Sequence, residues 1–83
     1  MQNDWRLNGQ ETYLCGATLI YQPWKPANPR NDHDHCEFCW EKFANYPGCL
    51  REGYSTTDRE RWICEACFKD FAAQFDWEVA PRG

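Results

Sequence analysis

At 83 residues with a formal net charge of −4, the chain is one small domain, too short to bury a large core without an added staple. The acidic balance argues against a phosphate-binding surface, since nucleic-acid affinity comes largely from Lys and Arg neutralising phosphates. Aromatic residues make up 17% of the chain, and a few large rings supply much buried area per residue.

Asn8-Gly9-Gln10-Glu11 has the spacing of a capping box and predicts a short helix over about residues 9–15, stopped at Gly16. Residues 17–22, "ATLIYQ", are rich in β-formers and predict a strand. Three prolines within residues 23–32 predict an extended connector. It divides the single domain (1–83) into a helix–strand extension (1–32) and a cysteine-bearing module (33–77) that begins with "HDHCEFCW". Residues 40–48, "WEKFANYPG", predict one or two helical turns closed by Pro47-Gly48. Residues 50–64 read as a β-hairpin, with Tyr54 and Trp62 on its strands and "STTD" as a polar turn. Residues 64–77 predict the longest helix. Cys64, Cys67, Phe68, Phe71 and Phe75 recur at helical spacing on one face, while Glu65, Lys69, Asp70 and Gln74 fall largely off it.

The first twenty residues hold no basic segment followed by a long apolar run, and no stretch approaches the roughly 20 apolar residues of a membrane span. The expected compartment is therefore the reducing cytoplasm, where Cys-x-x-Cys pairs more often bind metal than form disulfides. Cys36-Glu37-Phe38-Cys39 and Cys64-Glu65-Ala66-Cys67 are two such pairs, 24 residues apart. Two pairs complete a tetrahedron around one ion, so Cys36, Cys39, Cys64 and Cys67 are the expected ligands of one structural Zn²⁺. The second pair falls at the expected start of the last helix, where free N–H groups and the helix dipole favour thiolates. A knuckle, a hairpin and a ligand pair on a first helical turn resemble the treble-clef zinc fold, over residues 35–77. The expected fold class is thus small α+β, treble-clef or zinc-ribbon-like, with an N-terminal helix–strand extension.

Cys15 and Cys49 are left over and are expected as packed thiols; a Cys15–Cys49 pair, or Cys49 as a ligand, are the alternatives. His33 and His35 are expected beside the site or on the surface, with imidazole replacing one cysteine as the alternative. Most of the five tryptophans are expected in the core; Trp40 is expected to cover the knuckle together with Phe43, and Trp24 and Trp77 are the candidates for an exposed anchor to a partner.

His35-Cys36-Glu37 formally matches the H-x-E of zinc deaminases, but Ile63 stands where their proline precedes the second pair, and Cys36 and Cys39 would have no role. A thioredoxin-like dithiol lacks its βαβ context. Enzymatic readings are therefore the minority, and a site with four protein ligands leaves no position for substrate. Arg51, Arg59 and Arg61 near Tyr54 and Trp62 could touch a nucleic acid, yet Glu52, Asp58 and Glu60 interleave with them. Four ionised thiolates and one divalent cation would lower the net charge by two, to −6. That balance favours a basic protein partner. The expected function is non-catalytic protein recognition, in the form of an acidic accessory, immunity or inhibitor protein. A nucleic-acid-associated zinc module is the alternative, and a redox-sensing zinc site the third reading.

Over "DWRLNGQETYL" (4–14), "HDHCEFCW" (33–40), "GYSTTD" (53–58) and "WICEACFKDF" (62–71), the chain also resembles a family of short, uncharacterised bacterial zinc-binding proteins. That resemblance implies zinc binding and no particular activity.

Overall fold

The computed structural model of the chain describes residues 6–7 and 9–80. Its elements in order are α1 (Glu11–Leu14), β1 (Thr18–Pro23), β2 (Asp34–His35), β3 (Lys42–Phe43), β4 (Glu52–Thr56), β5 (Trp62–Ile63), α2 (Glu65–Phe75) and β6 (Glu78–Val79). They form a small α+β fold with a four-stranded sheet in the order β5-β4-β1-β6 and a separate β2-β3 hairpin.

The β-branched and aromatic residues of β1 suit a pleated, half-buried surface. It pairs antiparallel with β4, placing Leu19 opposite Thr56 and Tyr21 opposite Tyr54. Pro23 ends the strand, where a missing N–H is tolerated. On its other side β1 pairs in parallel with β6, so residues 24–77 serve as the crossover that a parallel pair requires. Helix α2 buries Cys67, Phe71 and Phe75, which with the buried N-cap Cys64 makes four of the five stripe positions, while Phe68 is half-buried and stacked 3.8 Å from the ring of Tyr54. The helix ends at Asp76, which adopts the left-handed conformation and donates its N–H to the Ala72 carbonyl.

Helix α1 is a single turn, shorter than its sequence suggests. Asn8, the first residue of the expected capping box, lies outside the described residues. Gln10 occupies the N-cap without capping through its side chain. Its amide instead donates to the carbonyls of Arg6 (2.7 Å) and Glu37 (2.8 Å), tying this turn to the knuckle. Gly16 does close the turn, at a φ of 74° that suits glycine, and its N–H bonds to the Phe75 carbonyl at 2.7 Å.

Residues 40–48 correct the expectation of helical turns. Trp40 is left-handed (φ 70°), and β3 pairs with β2, His35 opposite Lys42. The backbone groups a helix would need are already engaged: Cys36 N–H bonds to the Glu41 carbonyl, and Leu50 N–H to that of Lys42. A left-handed conformation costs a non-glycine residue roughly 1 kcal/mol, so the tertiary arrangement overrides local preference here.

Trp24 and Trp77 are the second correction, since neither is an exposed anchor. Trp24 is 5% exposed, and its indole N–H donates to Asp34 Oδ2 at 2.9 Å. Trp77 is half-buried, donates to the Leu14 carbonyl at 2.8 Å and stacks on Phe68 and Phe75. A chain with so few large apolar groups covers its indoles wherever their N–H finds an acceptor. Trp40 also departs from expectation: it is exposed rather than folded over the knuckle, although Phe43 is buried.

One apolar cluster runs from Leu14 and Leu19 through Phe38, Phe43 and Trp62 to Phe71 and Phe75, joining the N-terminal extension to the cysteine module. Gly53 marks its tightest point. A Cβ there would lie 2.7 Å from Phe43 Cε2 and 3.0 Å from the Ile63 carbonyl oxygen. Strand propensity alone would favour alanine, but the clash decides. Gly53→Ala is expected to lower stability by about 1–3 kcal/mol, read as a reduced urea midpoint at unchanged slope.

Candidate metal centre

Strand pairing brings the two cysteine pairs together. Cys36 follows β2, and its knuckle closes through Cys36 N–H to the Glu41 carbonyl (2.8 Å) and Trp40 N–H to the Cys36 carbonyl (3.2 Å). Glu37 N–H then bonds to the Trp62 carbonyl at 2.9 Å, and Cys36 bridges Trp62, so the knuckle lies along the outer edge of β5. Two residues beyond Trp62 the chain reaches Cys64, the extended N-cap of α2, with Cys67 on the first helical turn.

The ligand atoms of Cys36, Cys39, Cys64 and Cys67 all lie within 4.8 Å of one another, so together they could hold a metal ion. The Sγ atoms of Cys39 and Cys64 are 3.6 Å apart. A tetrahedral ion with metal–sulfur bonds of about 2.3 Å sets its sulfurs about 3.8 Å apart, so the donor set fits such an ion in both chemistry and spacing. Cys36, Cys64 and Cys67 are buried, and Cys39 is partly open to solvent.

Donors surround the sulfurs. The N–H groups of Phe38 and Cys64 each point at Cys36 Sγ at 3.4 Å, and that of Cys67 points at Cys64 Sγ at 3.5 Å. Arg6 Nη1 lies 3.6 Å from Cys67 Sγ while it pairs with Asp70 at 2.9 Å and covers the Phe71 ring. Such bonds favour the charged form of a thiol, which is the form a metal binds.

Within the bare thiol cluster Cys36, Cys64 and Cys67 are not equivalent. Hydrogen bonds from the Cys64 and Cys67 thiols hold Cys36 far below the ordinary thiol range. The bond to Cys36 pushes Cys64 up to about 11, and bonds to Cys36 and Cys64 push Cys67 up as well. Ionisation of Cys36 is thus favoured by its thiol neighbours, while that of Cys64 and Cys67 is opposed. A divalent cation removes that opposition, because it favours every thiolate at once.

No histidine joins this cluster among the described residues. His33 Nδ1 lies 2.7 Å from Asp32 Oδ1, its ring stands edge-on to His35, and His35 faces Trp40. Cys49 is half-buried outside the cluster. Cys15 is exposed, so the expectation of a packed thiol fails there.

Sequence reasoning missed three contributors. Phe38, inside the first pair, turns out to be a central core ring. Arg6 reaches Cys67 across 61 positions with no local signal. Arg61 covers the Tyr13 ring at 4.1 Å and lies 3.5 Å from Glu37, whose Oε1 also accepts the Tyr13 hydroxyl at 2.9 Å. Burial, then the bond to Glu37, raises the Tyr13 pKa.

Comparison of the chain with protein-family models, with curated proteins and with solved structures returned no match. The chemistry of the cluster therefore carries the assignment: a small α+β chain with four cysteines placed to hold a metal ion. No helix among the described residues is long and apolar enough to cross a membrane.

Proposed function

We propose that the protein is a zinc-stabilised recognition module of treble-clef type that binds a protein partner and performs no catalytic step. One observation carries this reading: the four donors come from protein thiols, three of them buried, so a tetrahedral ion held there has no position for water or substrate. An all-sulfur tetrahedral set suits Zn²⁺. The treble-clef reading is supported by the order of parts, namely a β2–β3 knuckle carrying Cys36 and Cys39, a β4–β5 hairpin, and α2 with Cys64 and Cys67 at its start.

Charge supports a basic protein as partner. The chain is acidic, and the arginines of the β4–β5 hairpin do not form a basic stripe, since Arg61 is engaged with Glu37 and Tyr13. An accessory, immunity or inhibitor protein directed at a basic target fits this balance. The test is a pull-down with zinc-loaded protein from its native lysate, with and without nuclease. Retained proteins that withstand nuclease are expected; retention that disappears with nuclease would replace this reading with a nucleic-acid-associated module.

A further inference from the structure

Among the described residues, Trp40 is the large apolar side chain most open to solvent, with 65% of its surface exposed. The knuckle explains its backbone, because the turn after Cys39 places residue 40 in the left-handed region. It does not explain the indole, since glycine would meet that turn without strain. The Trp40 ring stands at the wall of a cleft of about 420 Å³, lined also by Tyr13, His33, Asp34, His35 and Glu37.

The lining is aromatic and acidic together. The Trp40 ring lies 6.0 Å from that of His35, which in turn meets His33 edge-on at 5.0 Å. The Glu37 carboxylate is held at the cleft, its Oε1 accepting from Tyr13 at 2.9 Å and lying 3.5 Å from Arg61, whereas the Asp34 carboxylate is turned to Trp24 (2.9 Å) and Asn31 (3.0 Å), which do not line this cleft. Cys36, one of the four clustered thiols, also lines the cleft. Aromatic faces and carboxylates both attract cations. The chain already shows this chemistry at one edge of the cleft, where the Arg61 guanidinium lies over Tyr13 beside Glu37.

We propose that this cleft receives an arginine side chain from a basic protein segment, with Trp40 stacking on the guanidinium and Glu37 facing its charge. The inference rests on the protein-recognition reading and adds the site and the chemistry of the partner. A single-stranded nucleic acid could also stack on Trp40, but its phosphates would meet the Glu37 carboxylate and the thiolate cluster. Charge selects the guanidinium.

The test uses the zinc-loaded full chain, an acetylated and amidated hexa-arginine peptide, and oligothymidylate of similar length. Binding is followed by two-dimensional NMR of the backbone and the indole N–H groups. Hexa-arginine should shift the Trp40 indole and the amides of His35 and Glu37. Trp40→Gly, which suits the left-handed turn, should weaken binding about fivefold, and Glu37→Gln should weaken it further. Unchanged affinity in Trp40→Gly, or shifts centred on Glu52 and Glu65, would overturn the proposal. Oligothymidylate binding that Trp40→Gly abolishes would overturn it in favour of nucleic acid. Nuclease-resistant protein partners that Trp40→Gly still retains would leave the recognition reading standing and remove the cleft from it.

Discussion

On the zinc reading proposed above, a strong chelator should erase most of the protein's near-UV aromatic circular dichroism. Structural zinc sites contribute on the order of 10 kcal/mol to folding, and a domain of this length has a total stability of about 4–12 kcal/mol. The elements around the cluster show why so much depends on it. Strands β2, β3 and β5 have two residues each, and such strands are marginal unless something fixes their ends. The metal would join the β2–β3 knuckle, the end of β5 and the first turn of α2 at one point. Without it, only weak thiol contacts such as Cys39 to Cys64 at 3.6 Å join these pieces. Acid should act in the same direction, since protons compete with the metal for every thiolate, so the folded signal is present at neutral pH and lost as pH falls. A chelated protein that keeps its near-UV spectrum would contradict the dependence of the fold on metal.

Phe38→Ala is expected to cost about 3–5 kcal/mol in the zinc-loaded protein, the usual range for deleting a buried ring. Phe38 is 1% exposed and lies between two of the cysteines. Its ring stacks on Phe71 at 4.8 Å and meets Phe75 and Trp77 edge-on at 5.4 and 5.8 Å. The two faces of the knuckle thus have separate tasks, with the sulfurs turned to the cysteine cluster and the ring to the core. Urea unfolding should show a much lower midpoint while the folded fraction still carries one zinc per chain. Phe38→Leu, which keeps most of the volume, should cost less than about 1.5 kcal/mol. A Phe38→Ala loss below 1 kcal/mol would contradict the central place of this ring.

The parts of this protein that were readable from sequence are those whose cause is local. The two Cys-x-x-Cys pairs carry their spacing with them, and the stripe Cys67, Phe71, Phe75 shows the helical period of α2 directly. The β-forming residues of β1 and the hairpin of β4 and β5 are legible for the same reason. Residues 40–43 were not. Trp40 takes a conformation its side chain disfavours because the knuckle around Cys36 and Cys39 demands it, and that demand is tertiary. Trp24 looked exposed because it sits among prolines, whereas its burial depends on Asp34 ten positions away. The parallel pairing of β6 with β1 joins opposite ends of the chain and leaves no local pattern. Phe38 carries no local sign of its burial, because a single ring between two cysteines has no period of its own.

The most direct test of the account is X-ray absorption at the zinc edge of the metal-loaded protein, with the metal content measured on the same sample. The account predicts one zinc per chain and a first coordination shell of four sulfurs at about 2.3 Å, with no light-atom ligand. Conversion of Cys36, Cys39, Cys64 or Cys67 to serine should each disturb that shell, whereas Cys15→Ser and Cys49→Ser should leave it intact. A shell containing nitrogen or oxygen, or one unchanged when a clustered cysteine is replaced, would contradict the closed four-sulfur centre.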